Sequence, residues 1–594
     1  MTRQSRQPSA DATGRDQRAG ELAALRARPR AEVLIVGGGI NGIATFRDLA
    51  LQGVDVVLVE RNDWCSGASA ASSHMIHGGI RYLENGEFRL VRESVQERNG
   101  LLVAAPHYVK PLMTTVPIFS TFAGLVTAPL RFLTHRAGTP SERGAALIKT
   151  GLVLYDSFSR DGGRLPRHAF HGRRRSLVEL PELNPTVKYT ATYFDASVHE
   201  PERLALDVLQ DGLDAAQNSG TARAVNYVEA VGLHADGVHV RDSVTGAEFS
   251  IAADVVINAS GPWTDLTNAA LGTETMFMGG TKGSHIVLEN SELLAACDGR
   301  ELFFEHRDGR IVLIHPLNGR VLVGTTDLEA DVRAPAVCTE AEVDYFFELI
   351  RHVFPAVSVK REDIVFRFAG IRPLPKHDDL QPGFVSRDYR IERSMVPGAT
   401  PGRATPVLSL VGGKWTTFRA LAERLGDEAL ELLGRGRTRD TAGLPIGGGV
   451  GFPTTDAAHA VWIAAHADEV GRERAEQLLA RYGTRAEAVI AASAELTDAP
   501  LTHAPAFRVI ELEHILRTEH VVHLADLVLR RTNLAFTGRV TLPLLTELAG
   551  IAAPLLAWDA QTRDAEIDAT VRLLAERHGV RLAREPVTAA GRAQ

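Results

Sequence analysis

The clearest pattern of apolar and polar positions in the chain runs from Ala31 to Glu60. Residues 33–36 form a short apolar run that ends in glycine, which is typical of a buried parallel strand. From Ile40 to Leu51 the apolar residues recur at helical spacing, and a second strand-like run, Val54 to Val59, ends on Glu60. This stretch therefore predicts a strand, a tight turn, a helix and a second strand.

Glycines in the predicted turn fall in the G-x-G-x-x-G register, at Gly37, Gly39 and Gly42. Such glycines form the turn, let a pyrophosphate touch the backbone and let the helix pack closely on the strand. The helix N-terminus beyond them offers unpaired N–H groups to that pyrophosphate. Glu60 stands at the tip of the second strand, where a carboxylate accepts hydrogen bonds from both ribose hydroxyls and disfavours a 2′-phosphate. These features predict a dinucleotide site and leave FAD and NAD open.

Two later segments repeat the order of strand and glycine turn. Residues 253–258 have the pattern of a buried strand, and a turn follows at residues 259–261. Residues 408–411 form another apolar strand before the pair Gly412-Gly413. The glycine pair is predicted to open a helix that carries Lys414 to Leu425 and points into the same site.

Other stretches predict a second sheet and a helical region. Alternating runs at Arg310 to His315 and Arg320 to Gly324 predict antiparallel strands that cover the cofactor. An amphipathic helix is predicted near Phe88. Beyond the glycine-rich linker at residues 447–451 the chain becomes rich in Ala, Glu and Arg with helical spacing, up to Glu585.

Length and composition narrow the class of protein. A chain of 594 residues exceeds a single hydrophobic core, and a formal charge of -8 gives no electrostatic case for nucleic acid. The three cysteines, Cys65, Cys297 and Cys338, lie far apart without the spacing of a metal site. They indicate a reducing compartment and neither a disulfide framework nor a zinc site.

Secretory and membrane-spanning patterns are not expected in this sequence. Residues 1–29 contain no apolar core of a signal peptide, and residues 1–30 are predicted to be a disordered tail. The most apolar long window, Pro117 to Leu133, is broken by Pro129 and is too short to span a bilayer. A buried cap segment is the favoured interpretation, and a membrane-surface contact is the alternative.

A small-residue stretch after Glu60 favours a flavin over a nicotinamide. The segment SGASAASSHMIHGGIRYLE, following GGGINGIATFRDLA, resembles the FAD-dependent glycerol-3-phosphate dehydrogenases, within the larger group of flavin enzymes built like the D-amino-acid oxidases. The resemblance covers Val33 to Arg419 through NASGPW, KGSH, GTTD, FAGIRP and GGKWTT, and extends more loosely to RRTNLAFTG. His74 is a departure, because the family often carries lysine there.

The fold implied by this resemblance is α/β, with three domains. A Rossmann-like FAD-binding domain of the D-amino-acid-oxidase type is expected together with an antiparallel-sheet substrate or cap domain and a C-terminal helical domain. The expected bounds are residues 31–104, 193–270 and 362–440 for the discontinuous FAD domain, 105–192 and 271–361 for the cap domain, and 452–585 for the helical domain.

FAD contacts are implied for the glycine turns and for the small-residue stretch. His77 is expected to pack against the flavin or hydrogen-bond to it rather than attach to it covalently. No metal is expected. The residues expected to contact FAD are Gly37, Gly38, Gly39, Asn41, Gly42, Glu60, Ser66, Ser69, Ser72, Ser73, His77, Gly78, Gly79, Ser260, Gly261, Gly413, Lys414, Thr416 and Thr417.

Cations near these turns predict an anion site. Arg81, Arg372 and Lys414 each closely follow a glycine-containing turn, and Lys282 with His285 is a further candidate pair. A phosphate dianion requires several charge-assisted donors, which guanidinium groups supply as a planar fork. By resemblance, the substrate pocket is lined by Arg81, Tyr82, His285, Arg372, Arg387 and Lys414.

The reaction implied by the resemblance is oxidation of sn-glycerol 3-phosphate to dihydroxyacetone phosphate, with the hydride passing to FAD. His285 is expected to be the general base near neutral pH; alternatively it orients the substrate as a neutral donor while Arg372 stabilises the alkoxide. Rival interpretations are an amino-acid or sarcosine-type oxidase of the same fold, an NAD dehydrogenase and a non-enzymatic flavin scaffold.

Electrons from the reduced flavin are expected to leave to an external acceptor, because the sequence shows no second dinucleotide turn, iron–sulfur pattern or haem motif. The resemblance implies a respiratory quinone, and an oxygen-using glycerol-phosphate oxidase is the alternative. A cytoplasmic location, peripheral contact with the inner face of the plasma membrane and a homodimer are further expectations.

Overall fold

Eighteen strands occur in the part of the chain that the computed structural model describes, which is residues 14–79, 87–120, 145–158, 165–217, 219–306, 310–376, 388–400, 402–495 and 498–582. The strands are β1 Arg30–Val36, β2 Val56–Val59, β3 Met75–Ile76, β4 Val109–Ile118, β5 Ala169–Gly172, β6 Tyr189–Val198, β7 Ala222–Val225, β8 Val228–His234, β9 Gly237–Asp242, β10 Glu248–Asn258, β11 Met278–Leu288, β12 Glu301–Glu305, β13 Ile311–Leu317, β14 Arg320–Gly324, β15 Leu328–Glu329, β16 Ile364–Pro375, β17 Arg390–Pro397 and β18 Ala404–Val411.

Helices precede, connect and follow these strands. The helices are α1 Gly14–Ala27, α2 Ile40–Leu51, α3 Phe88–Ala104, α4 Ala145–Phe158, α5 Arg173–Glu179, α6 Pro201–Ala215, α7 Thr264–Ala270, α8 Ser291–Ala296, α9 Glu340–Val353, α10 Phe418–Leu432, α11 Asp456–Val470, α12 Arg472–Tyr482, α13 Ala486–Glu495, α14 Val509–Thr518, α15 Leu524–Asp526, α16 Leu542–Leu555 and α17 Ala560–His578, with a π-helical turn at Leu527–Arg531.

The first sheet is built around β1, as the sequence pattern predicts. Its strand order is β17-β18-β10-β1-β2-β7, and β1 pairs in parallel with both β2 and β10. Helices α2, α6 and α10 cover one face, and α1 with the β8–β9 hairpin covers the other. Residues 33–35 of β1 are fully buried because both faces are covered, which explains the continuous apolar run.

A second sheet has the order β15-β11-β14-β13-β12-β4-β6-β3, with β16 also paired to β11 and β5 to β6. Its pairs are antiparallel except for β12 with β4, which confirms the antiparallel strands predicted at residues 310–324. Strands β6 and β16 reach into ranges that the sequence assigned to the FAD domain. Those boundaries are wrong, because an apolar strand pattern does not specify which sheet the strand joins.

The predicted disorder of residues 1–30 is wrong for helix α1. Leu22 and Leu25 are buried against the first sheet, and Arg18 donates to Asp242 Oδ1 at 2.7 Å. The two buried leucines and the buried ion pair hold α1 against the first sheet. Residues 1–13 lie outside the described residues.

The chain beyond residues 447–451 is helical, as predicted, and these C-terminal helices pack on one face of the second sheet. Leu527 and Leu545 share a core with Val287 and Phe366 of that sheet. Arg531 reaches back to Asp63, just after Glu60, and donates to both of its carboxylate oxygens at 2.7 and 2.8 Å. The C-terminal helices therefore contact both the second sheet and the loop that follows β2.

Only the start of the apolar window 117–133 is described. Residues 117 and 118 belong to β4, and the Phe119 ring lies 4.8 Å from the His352 ring. Residues 121–133 fall outside the described ranges. Within those ranges, none of the helices combines the length and the apolar composition needed to cross a bilayer.

Candidate active site

The turn between β1 and α2 brings three backbone segments into contact. A Cβ on Gly37, whose φ is 115°, would lie 2.6 Å from the Ala259 carbonyl oxygen, and one on Gly42 would overlap the Gly37 carbonyl. These glycines are therefore required where the turn, α2 and the end of β10 touch. The Ile40 N–H at the start of α2 donates to Ser69 Oγ at 3.0 Å. The first turn of α2 thus lies against the small-residue stretch.

Glu60 follows β2 and its carboxylate lies against the same turn. Oε2 accepts the Gly38 N–H at 2.6 Å, and Oε1 accepts the Asn62 N–H at 2.9 Å. Burial raises the pKa of Glu60, and the two backbone donors oppose that shift. The group thus lies at the tip of β2, the position predicted for a ribose acceptor.

The second glycine turn, at residues 412–417, approaches α2 from β18. Gly412 and Gly413 have φ values of 97° and 109°, and a Cβ on Gly413 would overlap the Asn41 side-chain amide. Helix α10 begins at Phe418, so the prediction that the glycine pair opens the helix is wrong, and Lys414 lies in the turn. Because both glycines have positive φ values, the backbone cannot be helical there, and the helix begins only at Phe418.

Two buried polar atoms beside these turns fit a dinucleotide cofactor. Asn41 Oδ1 and Thr417 Oγ1 have no hydrogen-bond partner in the described part of the chain. An unsatisfied buried acceptor or hydroxyl is costly unless a ligand meets it. Trp415 Nε1 donates to the Ser69 carbonyl at 3.0 Å, which ties the second turn to the small-residue stretch.

A cavity of about 200 Å³ opens between these turns and the second sheet. Its walls come from residues 68–77, from β11 and β16, and from the turn that follows β18. The predicted site residues that line it are Ser72, Ser73, His77, His285, Arg372, Gly413, Lys414 and Thr416.

His285, on β11, is 2% exposed and fixed on two sides. Its ring stacks on Phe368 of β16, with centroids 4.8 Å apart and planes at 13°, and its Nε2 lies 2.8 Å from Ser73 Oγ. Burial, and then the charge of Arg372, lowers the pKa of His285 to about 3. The imidazole is therefore neutral at pH 7, which is the form that accepts a proton, although it does not titrate near neutrality as the sequence suggested.

Arg372, on β16, is held by the turn that follows β14. Its Nη2 donates to Thr325 Oγ1 at 2.9 Å and to the Thr326 carbonyl at 2.8 Å, and its Nη1 donates to Asp327 Oδ1 at 3.1 Å. A Cβ on Gly283 would overlap the guanidinium, so the glycine in the KGSH segment makes room for it. The guanidinium is thereby fixed at the cavity wall.

A buried carboxylate that the sequence did not single out holds that turn. Glu342 Oε1 accepts from Thr326 Oγ1 at 2.7 Å and from Ser284 Oγ at 2.8 Å. Its Oε2 accepts from Lys282 Nζ at 2.7 Å. Lys282 is therefore engaged in an ion pair and is not among the described residues that line the cavity, so its role as an anion ligand stays a prediction. Only the fold could show that Glu342, 60 residues away along the chain, is its partner.

A second missed residue, Asp195, positions the loop after β3. Asp195 Oδ1 accepts from the Gly78 N–H at 2.9 Å, Arg98 Nη1 at 2.7 Å and the Tyr155 hydroxyl at 2.7 Å. A Cβ on Gly78 would overlap that hydroxyl, which explains the glycine by packing. The loop bearing His77 is thereby fixed at the cavity.

Other predicted residues lie around or outside this cavity. Ser66 lines a neighbouring cavity, and Ser260 donates from Oγ to Asn258 Oδ1 at 2.6 Å while its backbone lies against Gly37. Gly39 is the N-cap of α2 and lies beside Ser69, whereas Gly79 and Gly261 have left-handed φ values of 75° and 63°. Arg81, Tyr82 and Arg387 lie outside the described residues.

Comparison with known proteins agrees with this geometry. Residues 32–389 match the family model of the FAD-dependent oxidoreductases of the D-amino-acid-oxidase type, and residues 404–563 match the C-terminal domain of alpha-glycerophosphate oxidase. A glycerol-3-phosphate dehydrogenase of Synechocystis is 32% identical over 531 residues, which cover 85% of this chain and 89% of the relative. The chain belongs to the glycerol-3-phosphate dehydrogenase/oxidase family of FAD-dependent oxidoreductases.

A further relative and a solved structure were also found to be similar. A D-erythritol 1-phosphate dehydrogenase of Brucella abortus is 35% identical over 405 residues, covering 66% of this chain and 72% of the relative. The solved structure of a glycerol-3-phosphate dehydrogenase from Bacillus halodurans complexed with FAD has a TM-score of 0.71 and 21% identity, covering 95% of this chain and 98% of that one. Membership of the family makes FAD the cofactor, and the predicted α/β fold with a C-terminal helical domain is confirmed.

Proposed function

We propose that this protein oxidises sn-glycerol 3-phosphate to dihydroxyacetone phosphate and passes the electrons through FAD to a quinone. The observation that carries the proposal is the pairing of a neutral buried histidine, His285, with a fixed cation, Arg372, in the cavity beside the FAD turns. Relatives named glycerol-3-phosphate dehydrogenase support the choice of substrate.

Substrate phosphate is assigned to the cations of the cavity. Arg372 presents a guanidinium that is already oriented by Thr325, Thr326 and Asp327, so little side-chain entropy is lost on binding. Lys414 lines the same cavity from the opposite turn. Charge-assisted contacts from two directions fit a dianion. Arg81, Tyr82 and Arg387 complete the proposed pocket.

Proton transfer is assigned to His285. The neutral imidazole takes the proton of the C2 hydroxyl, and Ser73 Oγ and the Phe368 ring hold the imidazole in place. FAD, when bound, supplies the acceptor for the C2 hydride. Arg372 stabilises negative charge that develops on the substrate oxygen.

FAD is assigned to the residues around the two turns. Gly37 to Gly42 and the α2 N-terminus are the proposed site of the pyrophosphate, and Glu60 that of the ribose. Asn41 Oδ1 and Thr417 Oγ1 are the proposed contacts at the junction of the two turns.

Anaerobic reduction of the bound flavin by a panel of compounds tests the substrate. The panel contains sn-glycerol 3-phosphate, D-erythritol 1-phosphate, glycerol, sarcosine, a D-amino acid and NADH. Bleaching by glycerol 3-phosphate at the lowest concentration is expected. Preference for the erythritol phosphate would move the assignment to a longer polyol phosphate, and bleaching by an amine alone would reject it.

Reoxidation of the reduced protein tests the electron acceptor. Anaerobically reduced protein is mixed with dissolved oxygen or with a soluble menaquinone analogue, and the return of flavin absorbance is followed. Rapid reoxidation by the quinone is expected. Rapid oxygen consumption with stoichiometric peroxide and no quinone preference would identify an oxidase.

A further inference from the structure

A second cavity, of about 130 Å³, lies directly behind the candidate active site. It is bounded by residues 66–74, by β16 and by residues 529–536 of the C-terminal domain. Ala71 lines both cavities, and a Cβ on Gly370 would overlap Ala71. Only a thin wall of small residues separates the two spaces at this point.

His285 lies at the same wall. The Phe368 ring on which it stacks also lines the second cavity. Ser73, which contacts His285 Nε2, is followed by His74, whose side chain lines the second cavity and whose Nδ1 lies 3.0 Å from the Val198 carbonyl. The proposed base thus borders this space through two neighbours.

Seven ionisable side chains line the second cavity, and most of them are either ion-paired or neutral. Arg203 makes two contacts with the Glu519 carboxylate, at 2.8 and 2.6 Å, and Arg530 is paired with Asp63 and Asp526. The ionisable groups that face the space are His74, His199, Glu200, Glu202, Arg203, Arg530 and His578. Burial lowers the pKa of all three histidines, so they are neutral at pH 7.

Glu202 is an acid in this space that has no side-chain partner among the described residues. It makes no ion pair with any residue that the structure describes, whereas Glu200 Oε1 accepts from Asn533 Nδ2 at 3.1 Å. Burial, with the nearby Glu200 charge, raises the pKa of Glu202 to about 7, although its own backbone N–H and Arg530 oppose the shift. Its charge therefore changes within the physiological pH range.

His315, on β13, adds two buried polar atoms near this cavity. Both of its ring nitrogens are buried and lack a hydrogen-bond partner among the described residues, and His74 and His199 are close enough to contribute to the lowering of its pKa. Buried polar groups without a protein partner are normally satisfied by water, so we expect ordered water near His315.

We propose that the second cavity is the outlet for the substrate's hydroxyl proton, with Glu202 as the acceptor that returns His285 to its neutral state. The inference rests on the proposed function. The O–H bond at C2 breaks and its proton moves to a nitrogen of His285 and then, through water, to the Glu202 carboxylate. FAD, when bound, would take the C2 hydrogen together with its electron pair. Because His285 is a weak base in this environment, it gives up the proton readily.

Flavin reduction by glycerol 3-phosphate, measured anaerobically from pH 5.5 to about 9, tests this role. In the wild-type holoenzyme the rate is expected to rise about tenfold through a midpoint near pH 7, where Glu202 becomes a carboxylate. Glu202→Gln is expected to remove this rise and slow the reaction about tenfold or more at pH 8. Glu202→Asp should restore the rise, and Glu200→Gln, which alters the neighbouring acid, should keep it.

A measurement without turnover separates proton storage from loss of structure. Infrared titration of the oxidised holoenzyme is expected to show a protonated-carboxyl band that disappears near pH 7 and is missing in Glu202→Gln at equal flavin content. A variant with the wild-type pH profile, or an unchanged infrared band, would overturn the proposal. A wild type whose flavin glycerol 3-phosphate does not reduce would overturn the proposed function instead.

Discussion

The position of His285 depends on a glycine in the neighbouring strand. A Cβ on Gly324 would overlap the imidazole, so Gly324→Ala should push the ring away from Phe368 and Ser73. Forcing an extra methyl into a packed site costs about 1 to 3 kcal/mol of folding stability. Because a base displaced by about 1 Å reacts less well, flavin reduction should also slow roughly tenfold or more. Stopped-flow absorbance at equal flavin content measures this. Gly100→Ala, where the added methyl meets nothing within 4 Å, is the control.

Arg372 is the residue to which we assign the largest contribution to substrate binding. Arg372→Ala removes a charge-assisted contact worth about 1.5 to 3 kcal/mol, which predicts a tenfold to hundredfold fall in kcat/KM for glycerol 3-phosphate. Flavin content should stay unchanged, because Arg372 lies on β16 of the second sheet and its described hydrogen bonds are with the turn after β14 rather than with the glycine turns. Arg390→Ala, at an exposed surface pair with Glu392, should leave kinetics unaltered. Equal kinetics in both variants would reject the pocket assignment.

At the element scale, α9 positions the cavity wall through Glu342 in its first turn. Glu342→Gln leaves Lys282 without its buried partner, a change that costs about 3 to 5 kcal/mol. A lower Tm is expected, together with a higher KM, because the Thr326 turn that holds Arg372 loosens. Thermal unfolding and steady-state kinetics measure both effects. Glu340→Gln, on the same turn but 65% exposed, should change Tm little. Equal losses from both variants would contradict the positioning role.

Helices and strands that show a clear apolar period in the sequence could be predicted. The sheet that a strand joins, and side chains whose partners lie far away along the chain, could not. The β1–α2–β2 unit agrees with its prediction because both faces of the strands and one face of the helix are apolar in register. The placement of β16 in the second sheet follows from its pairing with β11, which no local period encodes. His285 and Arg372 could be chosen from their motifs, but Glu342 and Asp195 could not, because their partners come from separate segments.

For the whole molecule, buried histidines predict a loss of stability in mild acid. Burial lowers the pKa of His285 and His315 to about 3, and of His74 and His578 to about 4. The unfolded chain protonates its histidines below about pH 6.5, whereas the folded protein binds those protons only near pH 4 and below. Between these limits the unfolded state binds more protons, so stability falls as pH decreases.

Buried acids with a raised pKa lower the stability as pH increases, which is the opposite of the effect of the histidines. Each contribution is therefore measured as the difference between a variant and the wild type. Burial raises the pKa of Glu301 to about 8, and its stabilising contribution is lost as pH rises from about 4.5 toward 8. His315→Gln should therefore flatten only the acid limb: relative to wild type, its free energy of unfolding should improve by about 2 kcal/mol between pH 7 and pH 5. Glu301→Gln should remove the loss of stability that this group causes between about pH 4.5 and pH 8. Thermal unfolding of the FAD-bound proteins at pH 5, 6, 7 and 8 checks both expectations. Parallel Tm curves for wild type and His315→Gln would show that this histidine is protonated as easily in the folded protein as in the unfolded chain.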